Sequence, residues 1–323
     1  MMLTSKVLGG RTVTGVLSLL CISTAVLLFA ACGGGGGDDD EAPTATVQEV
    51  APTEAPDGGE TTTQIDESFW HAGWKVTLGE ARVAEGDFGT RTVSIDAVFE
   101  NLSSSTSTFN SQLALTSGGE SYASSALDQE LPDVPGGLSG NGVIAVEVDE
   151  TFSFDDATLI IGNPENNQAV VPLGPGGDDL VSLEPREIAV TGTATAGAVT
   201  VTVERAELRA DLPDWSDEVE AGSLALTIYF SATPSSGIQI GQGVLQSENV
   251  ALKLPDGTAV AVRSDGRSGV NELLQGREGT TIRDLQVRFI VPAPAAGDYA
   301  FVLRGNYGPG GTMVEGELPF TIP

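Results

Sequence analysis

The sequence predicts an all-β protein of two tandem β-sandwich domains, and three observations carry that prediction. Apolar residues recur with period two over short segments, and no stretch of ten or more residues keeps a helical period. Turn formers are abundant, with 41 Gly and 17 Pro, while 40% apolar residues suffice for packed cores. Four strand-like blocks also occur twice in the same order, which is the signature of an internal repeat. A chain of 323 residues suits about two domains of roughly 100–150 residues each, plus tails.

Residues 1–31 read as a leader. Lys6 and Arg11 precede an apolar run from Val16 to Ala31, and no acid occurs before Asp38, the layout of a secretory signal peptide. Counted from Thr12, the run has about 20 residues, enough to cross a hydrocarbon core, so length alone does not separate a cleaved leader from a spanning anchor. The cysteine does. Phe29-Ala30-Ala31-Cys32 resembles the bacterial lipobox, with Phe29 where that motif usually has Leu. The resemblance implies lipidation at Cys32, a membrane partner reached through the lipid, and a place on the extracytoplasmic face of a cell membrane or outer membrane.

Residues 32–65 follow as a tether. After Cys32 come five glycines, four consecutive acids and a Pro/Thr/Glu-rich stretch, with eight acids and no Lys or Arg before Gln64. Such a segment buries too little apolar surface to offset its chain entropy, and its like charges extend it, so disorder is expected. Flexible-coil scaling over roughly 30 residues gives a standoff of about 30 Å.

From about Phe69 strands begin. "WKVTLGEARV" aligns Trp74, Val76 and Leu78, and "TVSIDAVFEN" aligns Val93, Ile95, Ala97 and Phe99 on one face. Further strands are expected over 112–115, 142–148, 157–161 and 169–173, between turn clusters such as "TSGGES" and "DVPGGLSGNG". The order then recurs. "AVTVTVERAEL" corresponds to "WKVTLGEARV" and "SLALTIYFSA" to "TVSIDAVFEN". "NVALKLPDGTAVAV" corresponds to "SQLALTSGGESYAS", and "IRDLQVRFIVPAPAAGDYAFVLRG" to "GVIAVEVDETFSFDDATLIIG". Domains are therefore expected over 66–184 and 185–323, joined near "SLEPRE", where Pro185 stiffens the connection.

A strand with a polar shoulder, "VSIDAVFENLSSSTSTFNSQLALTSGGESY", then a Gly-rich turn and a strand–acid–strand finish, resembles the immunoglobulin-like sandwiches of secreted bacterial proteins of the mycobacterial immunoprotective-antigen type. The resemblance implies two tandem immunoglobulin-like β-sandwich domains outside the cytoplasm, and no particular activity.

The charge balance narrows the partners. Fifteen basic against 45 acidic residues give −30, a field that repels phosphate backbones and excludes a nucleic-acid partner. Catalytic chemistry is sparse. One histidine, His71, and two cysteines, Cys21 and Cys32, leave no base–nucleophile set in the body of the chain, so an enzyme is not expected. Alternation places Trp70 and Trp74 on one face and His71 on the other, at the surface or a strand edge. The two tryptophans are either an aromatic surface for a sugar or peptide or a plug closing the sandwich end, with Gly73 permitting a bulge between them.

Carboxylates supply the remaining candidates. Asp155, Asp156, Asp178, Asp179 and the group Asp211, Asp214, Asp217, Glu218 and Glu220 offer oxygens to calcium, although none fits the D-x-[DN]-x-[DN]-G loop. The loop after the first strand is "AEGDFGTRT" in the first copy and "RADLPDWSDEVEAGS" in the second, about six residues longer. Function in sandwiches varies in loops, so Asp211, Asp214, Trp215, Asp217 and Glu218 form the candidate binding loop. The alternative is an insertion whose Trp215 folds back onto the sheet. The expected function is non-enzymatic binding or structural presentation in the cell envelope, toward an envelope protein or a glycan. Its alternative is an accessory lipoprotein capturing a solute or a calcium ion, with no other cofactor.

Overall fold

The computed structural model describes residues 61–85, 90–124, 129–235, 238, 243–263 and 269–323. The leader, Cys32 and nearly all of the expected tether lie outside these residues. The described chain is all-β, with antiparallel strands and short 3-10 turns as its regular structure.

The first half contains β1 (Thr61–Gln64), β2 (Ser68–His71), β3 (Trp74–Glu85), β4 (Arg91–Asn101), β5 (Ser107–Thr108), β6 (Leu113–Ser117), β7 (Glu120–Ala123), β8 (Asp133–Val134), β9 (Ser139–Val148), β10 (Thr158–Ile161) and β11 (Ala169–Pro172). One sheet runs β1-β3-β4-β9, with β2 also on β3, and the facing sheet runs β11-β10-β6-β7. Their inner faces meet in one core, where Val76, Ile95 and Ile144 of the first sheet pack with Leu115, Leu159 and Val171 of the second. Alternation explains the faces up to Leu78. There Gly79 and Glu80 together oppose Asp96, a β-bulge that resets the phase so that Leu78 and Ala81 both point inward.

The second half contains β12 (Arg186–Ile188), β13 (Gly192–Ala196), β14 (Val199–Arg209), β15 (Asp211–Leu212), β16 (Asp217–Glu218), β17 (Ser223–Pro234), β18 (Val244–Gln246), β19 (Val250–Lys253), β20 (Ala259–Ala261), β21 (Asn271–Leu273), β22 (Ile282–Pro292), β23 (Gly297–Gly305) and β24 (Val314–Ile322). Its sheets run β12-β14-β17-β22, with β13 also on β14, and β20-β19-β23-β24. Replacing β1, β3, β4, β9 by β12, β14, β17, β22, and β7, β6, β10, β11 by β20, β19, β23, β24, reproduces the strand order of the first half. The bulge recurs too, with Glu204 as the extra residue between Val203 and Arg205. A separate core joins Val201, Phe230 and Phe289 to Leu252, Phe301 and Leu303.

Trp74 belongs to the first core. It is 1% exposed and meets Phe99 and Phe109 edge-on, with ring centres 6.4 and 6.1 Å away, while Phe109 also lies 6.4 Å from Phe69. Such pairs add to the burial energy of each ring. Phe109→Ala is therefore expected to cost about 3–5 kcal/mol in urea unfolding of the full chain, whereas the exposed Met313→Ala changes stability by under ~0.5 kcal/mol. Equal, small effects at the two positions would contradict the aromatic core.

Candidate functional site at the junction of the two halves

The turn between β2 and β3 is where the second half docks. His71 pairs with Trp74, leaving Ala72 and Gly73 as a two-residue turn in which both φ angles are positive, 47° and 85°. This is the geometry that matches the twist of a tight hairpin, and Gly73 takes the position with the larger angle. Residues opposite each other across a hairpin share a face. Phe69 and His71 thus join Val76 and Trp74 inside, and Trp70 joins Lys75 outside.

That reversal corrects three expectations. Trp74 is a core residue, whereas Trp70 is half-buried on the opposite face with Lys75 Nζ 5.1 Å from its ring centre, so the two indoles form no common surface. His71 is 1% exposed rather than at the surface. Gly73 makes a turn and not a bulge. Linear alternation fails here because a two-residue turn exchanges the faces of the strands on either side.

Residues 210–222 of the second half cover this turn. Leu212, Val219 and Ala225 form a small core of their own, with Trp215 and Ile290 packed against it, so the loop folds back over the outer face of its own sheet. Trp215 is half-buried, with the Arg288 guanidinium 4.8 Å from its ring centre. Arg288 Nε donates to Thr227 Oγ1 at 3.1 Å, and its Nη2 lies 3.5 Å from Asp214 Oδ2.

Asp211 is the pivot of the junction. It is 4% exposed; Arg209 donates to it through Nε at 2.7 Å and Nη2 at 3.3 Å, and the Gly73 amide donates to its Oδ2 at 2.6 Å. Arg209 Nη1 donates to Glu207 at 3.0 Å. Burial alone would lower the Arg209 pKa, but Asp211 and then Glu207 outweigh it and hold the guanidinium above its ordinary value. Asp211 therefore leaves the exposed binding tip expected of it, because its oxygens serve the interior of the junction.

Glu218 binds the other side of the same turn. His71 Nε2 lies 2.9 Å from Glu218 Oε1, and because a carboxylate only accepts, Nε2 carries the hydrogen; Asn166 Nδ2 donates to Oε2 at 2.8 Å. Gly162, with φ 104°, leaves room for His71, since a Cβ there would sit 2.6 Å from His71 Cε1. Asn167 donates from Nδ2 to Val219 O at 3.1 Å and Ser223 O at 2.8 Å, and the Ala221 amide donates to Glu165 O at 3.0 Å. Asp217 is exposed, with Oδ1 accepting from the Glu218 amide at 2.9 Å.

Beside this seam lies an open cleft of about 530 Å³. Asn110, Ser111, Gln112 and Gln129 line it from the first half with Asn163 and Asn166, and Ser216, Asp217 and Glu218 line it from the second. Ser111 Oγ is buried without a hydrogen-bond partner, a state that costs about 1–3 kcal/mol. The sequence reading missed His71 as a junction residue and the amide-rich "GNPENNQ" turn, whose three asparagines in an irregular segment were the available signal. Among the described residues no group of three or more His, Cys, Asp or Glu side chains is placed to hold a metal ion.

No family model matches the chain, and no curated protein matches it. Two solved structures show distant likeness. One is a conserved hypothetical protein from Bacillus anthracis, 12% identical, with a TM-score of 0.27, covering 35% of this chain and 96% of its own. The other is a conserved domain protein from Bacillus anthracis, 13% identical, with a TM-score of 0.25, covering 81% of this chain and 90% of its own. Both lie too far away to carry a function across.

Removing one partner of a buried ion pair strands the other. Asp211→Ala is expected to lower stability by about 3–5 kcal/mol, against under ~0.5 kcal/mol for the exposed Asp217→Ala, measured by urea unfolding of the full chain. Gly73→Ala should also destabilise, since its Cβ would lie 2.9 Å from the Pro213 backbone at a positive φ. A loss at Asp211 no larger than at Asp217 would contradict the buried junction.

Proposed function

We propose that this chain is a lipid-anchored protein of the extracytoplasmic face, built from two tandem immunoglobulin-like β-sandwich domains behind an acidic tether. It acts by binding an envelope protein or glycan and not by catalysis. The observation that carries the placement is the apolar run ending in Phe29-Ala30-Ala31-Cys32, followed at once by glycines and acids. The repeated strand order, with two facing sheets and a separate core in each half, supports the tandem-domain reading. The lone histidine supports the non-enzymatic one. His71 is buried, hydrogen-bonded to Glu218 and packed against Gly162, so the chain's one imidazole is occupied in holding the junction.

Expressed with its leader in a bacterial host, the protein is expected to partition into the detergent phase of a Triton X-114 separation. Cys32→Ala is expected to remain an uncleaved precursor with the leader's mass. An anchor of two or more acyl chains holds stably, each buried methylene contributing about 0.8 kcal/mol. An alanine variant that is processed to the same mass and partitions identically would overturn the placement.

A further inference from the structure

We propose that the cleft at the junction binds a neutral, polyhydroxylated ligand of the oligosaccharide class. The inference rests on the reading of the chain as a non-enzymatic binder, and it names the ligand's chemistry and its site.

The lining selects for hydroxyl groups. A side-chain amide offers donors and an acceptor in one plane, which matches two adjacent hydroxyls of a sugar ring. Asn110 and Gln112 are exposed and Gln129 is half-buried, and none of the three makes a side-chain hydrogen bond to another described residue. Their hydrogen-bonding capacity is thus directed to solvent or ligand.

Charge decides against the other small-ligand classes. Among the described residues no Lys or Arg lines the cleft itself, and Arg263 of the adjoining pocket faces Asp217 at 4.0 Å, so an anion is poorly matched there in a chain of net charge −30. Among the described residues the carboxylates of the cleft are Asp217 and Glu218; Glu218 accepts from His71 and Asn166, and Asp217 Oδ2 lies 4.0 Å from Arg263 Nη2. Two carboxylates, both engaged with neighbouring side chains, fall short of the charge and ligand number that a calcium site draws on.

An aromatic group lies next to the cleft. A smaller pocket of about 270 Å³, formed by Trp215, Ser216, Asp217 and Arg263, adjoins the cleft through Ser216 and Asp217. Arg288 lies over the indole, fixing its orientation beside the cleft. The cleft walls come from both halves, and the buried junction holds them in register before any ligand arrives, which lowers the ordering cost of binding. An extended peptide would call for a free strand edge to supply backbone hydrogen bonds, whereas side chains, mostly from turns and loops, supply this lining.

The test is a screen of the full chain, purified in detergent, against immobilised neutral and anionic oligosaccharides and a peptide library, followed by titration calorimetry. Neutral oligosaccharides are expected to bind. Asn110→Ala/Gln112→Ala should weaken them about tenfold or more, equivalent to ~1.4 kcal/mol, at unchanged Tm. Gln112→Glu, which keeps the side chain's size, should weaken them as well. Neutral sugars bound equally by both variants would place the site elsewhere and overturn the proposal. Peptide binding without sugar binding would overturn the ligand class while leaving the binding reading standing. Binding of no library member would overturn both.

Discussion

The carboxylate of Asp211 joins one element of each half of the chain. It accepts from the guanidinium of Arg209 in the second half and from the Gly73 amide at the tip of a hairpin in the first. An amide at that point of a two-residue turn has no partner within its own hairpin and ordinarily faces water. Here Pro213 lies against it, so the group is buried and must be satisfied from across the junction. Burying a carboxylate is costly unless it is fully hydrogen-bonded. Arg209 and Gly73 together meet that condition, and the tight hairpin and the returning loop each depend on the other being present.

The repeat and its one large departure follow the same logic. Equivalent strands in the two halves have the same neighbours, down to a bulge in β3 and another in β14. A sheet cannot absorb insertions without losing register, so change accumulates in connections. Between β3 and β4 the connection spans residues 86–90, and between β14 and β17 it spans 210–222. The longer one carries Asp211, Trp215 and Glu218, its own small core, and the bonds to His71 and Asn166. Its length serves to reach a neighbour, and the cleft opens along the line where it does so.

Much of the sheet structure was legible in the residues because alternation is local. Val93, Ile95, Ala97 and Phe99 are buried as their spacing requires, and the four recurring blocks fall on strands with equivalent neighbours in the two halves. The errors cluster where a local rule meets a non-local one. His71 and Trp70 exchanged faces because parity does not carry across the Ala72–Gly73 turn. Asp211 read as one acid among several exposed ones, since nothing in "RADLPDWSDEVEAGS" says which carboxylate finds a buried amide more than a hundred residues away. The amides of the cleft come from separate segments of the chain, and only the fold brings Gln112 close to Asn163 and Ser216.

Hydrogen exchange at the Gly73 amide measures the central contact directly. A turn amide exposed to water exchanges fast, whereas one buried and bonded to a carboxylate exchanges only when the junction opens. The account predicts protection at Gly73 comparable to that of the core amides of β3, lost on replacing Asp211 by alanine while the β3 amides stay protected. Fast exchange at Gly73 in the unaltered chain would mean that the two halves are not joined through Asp211.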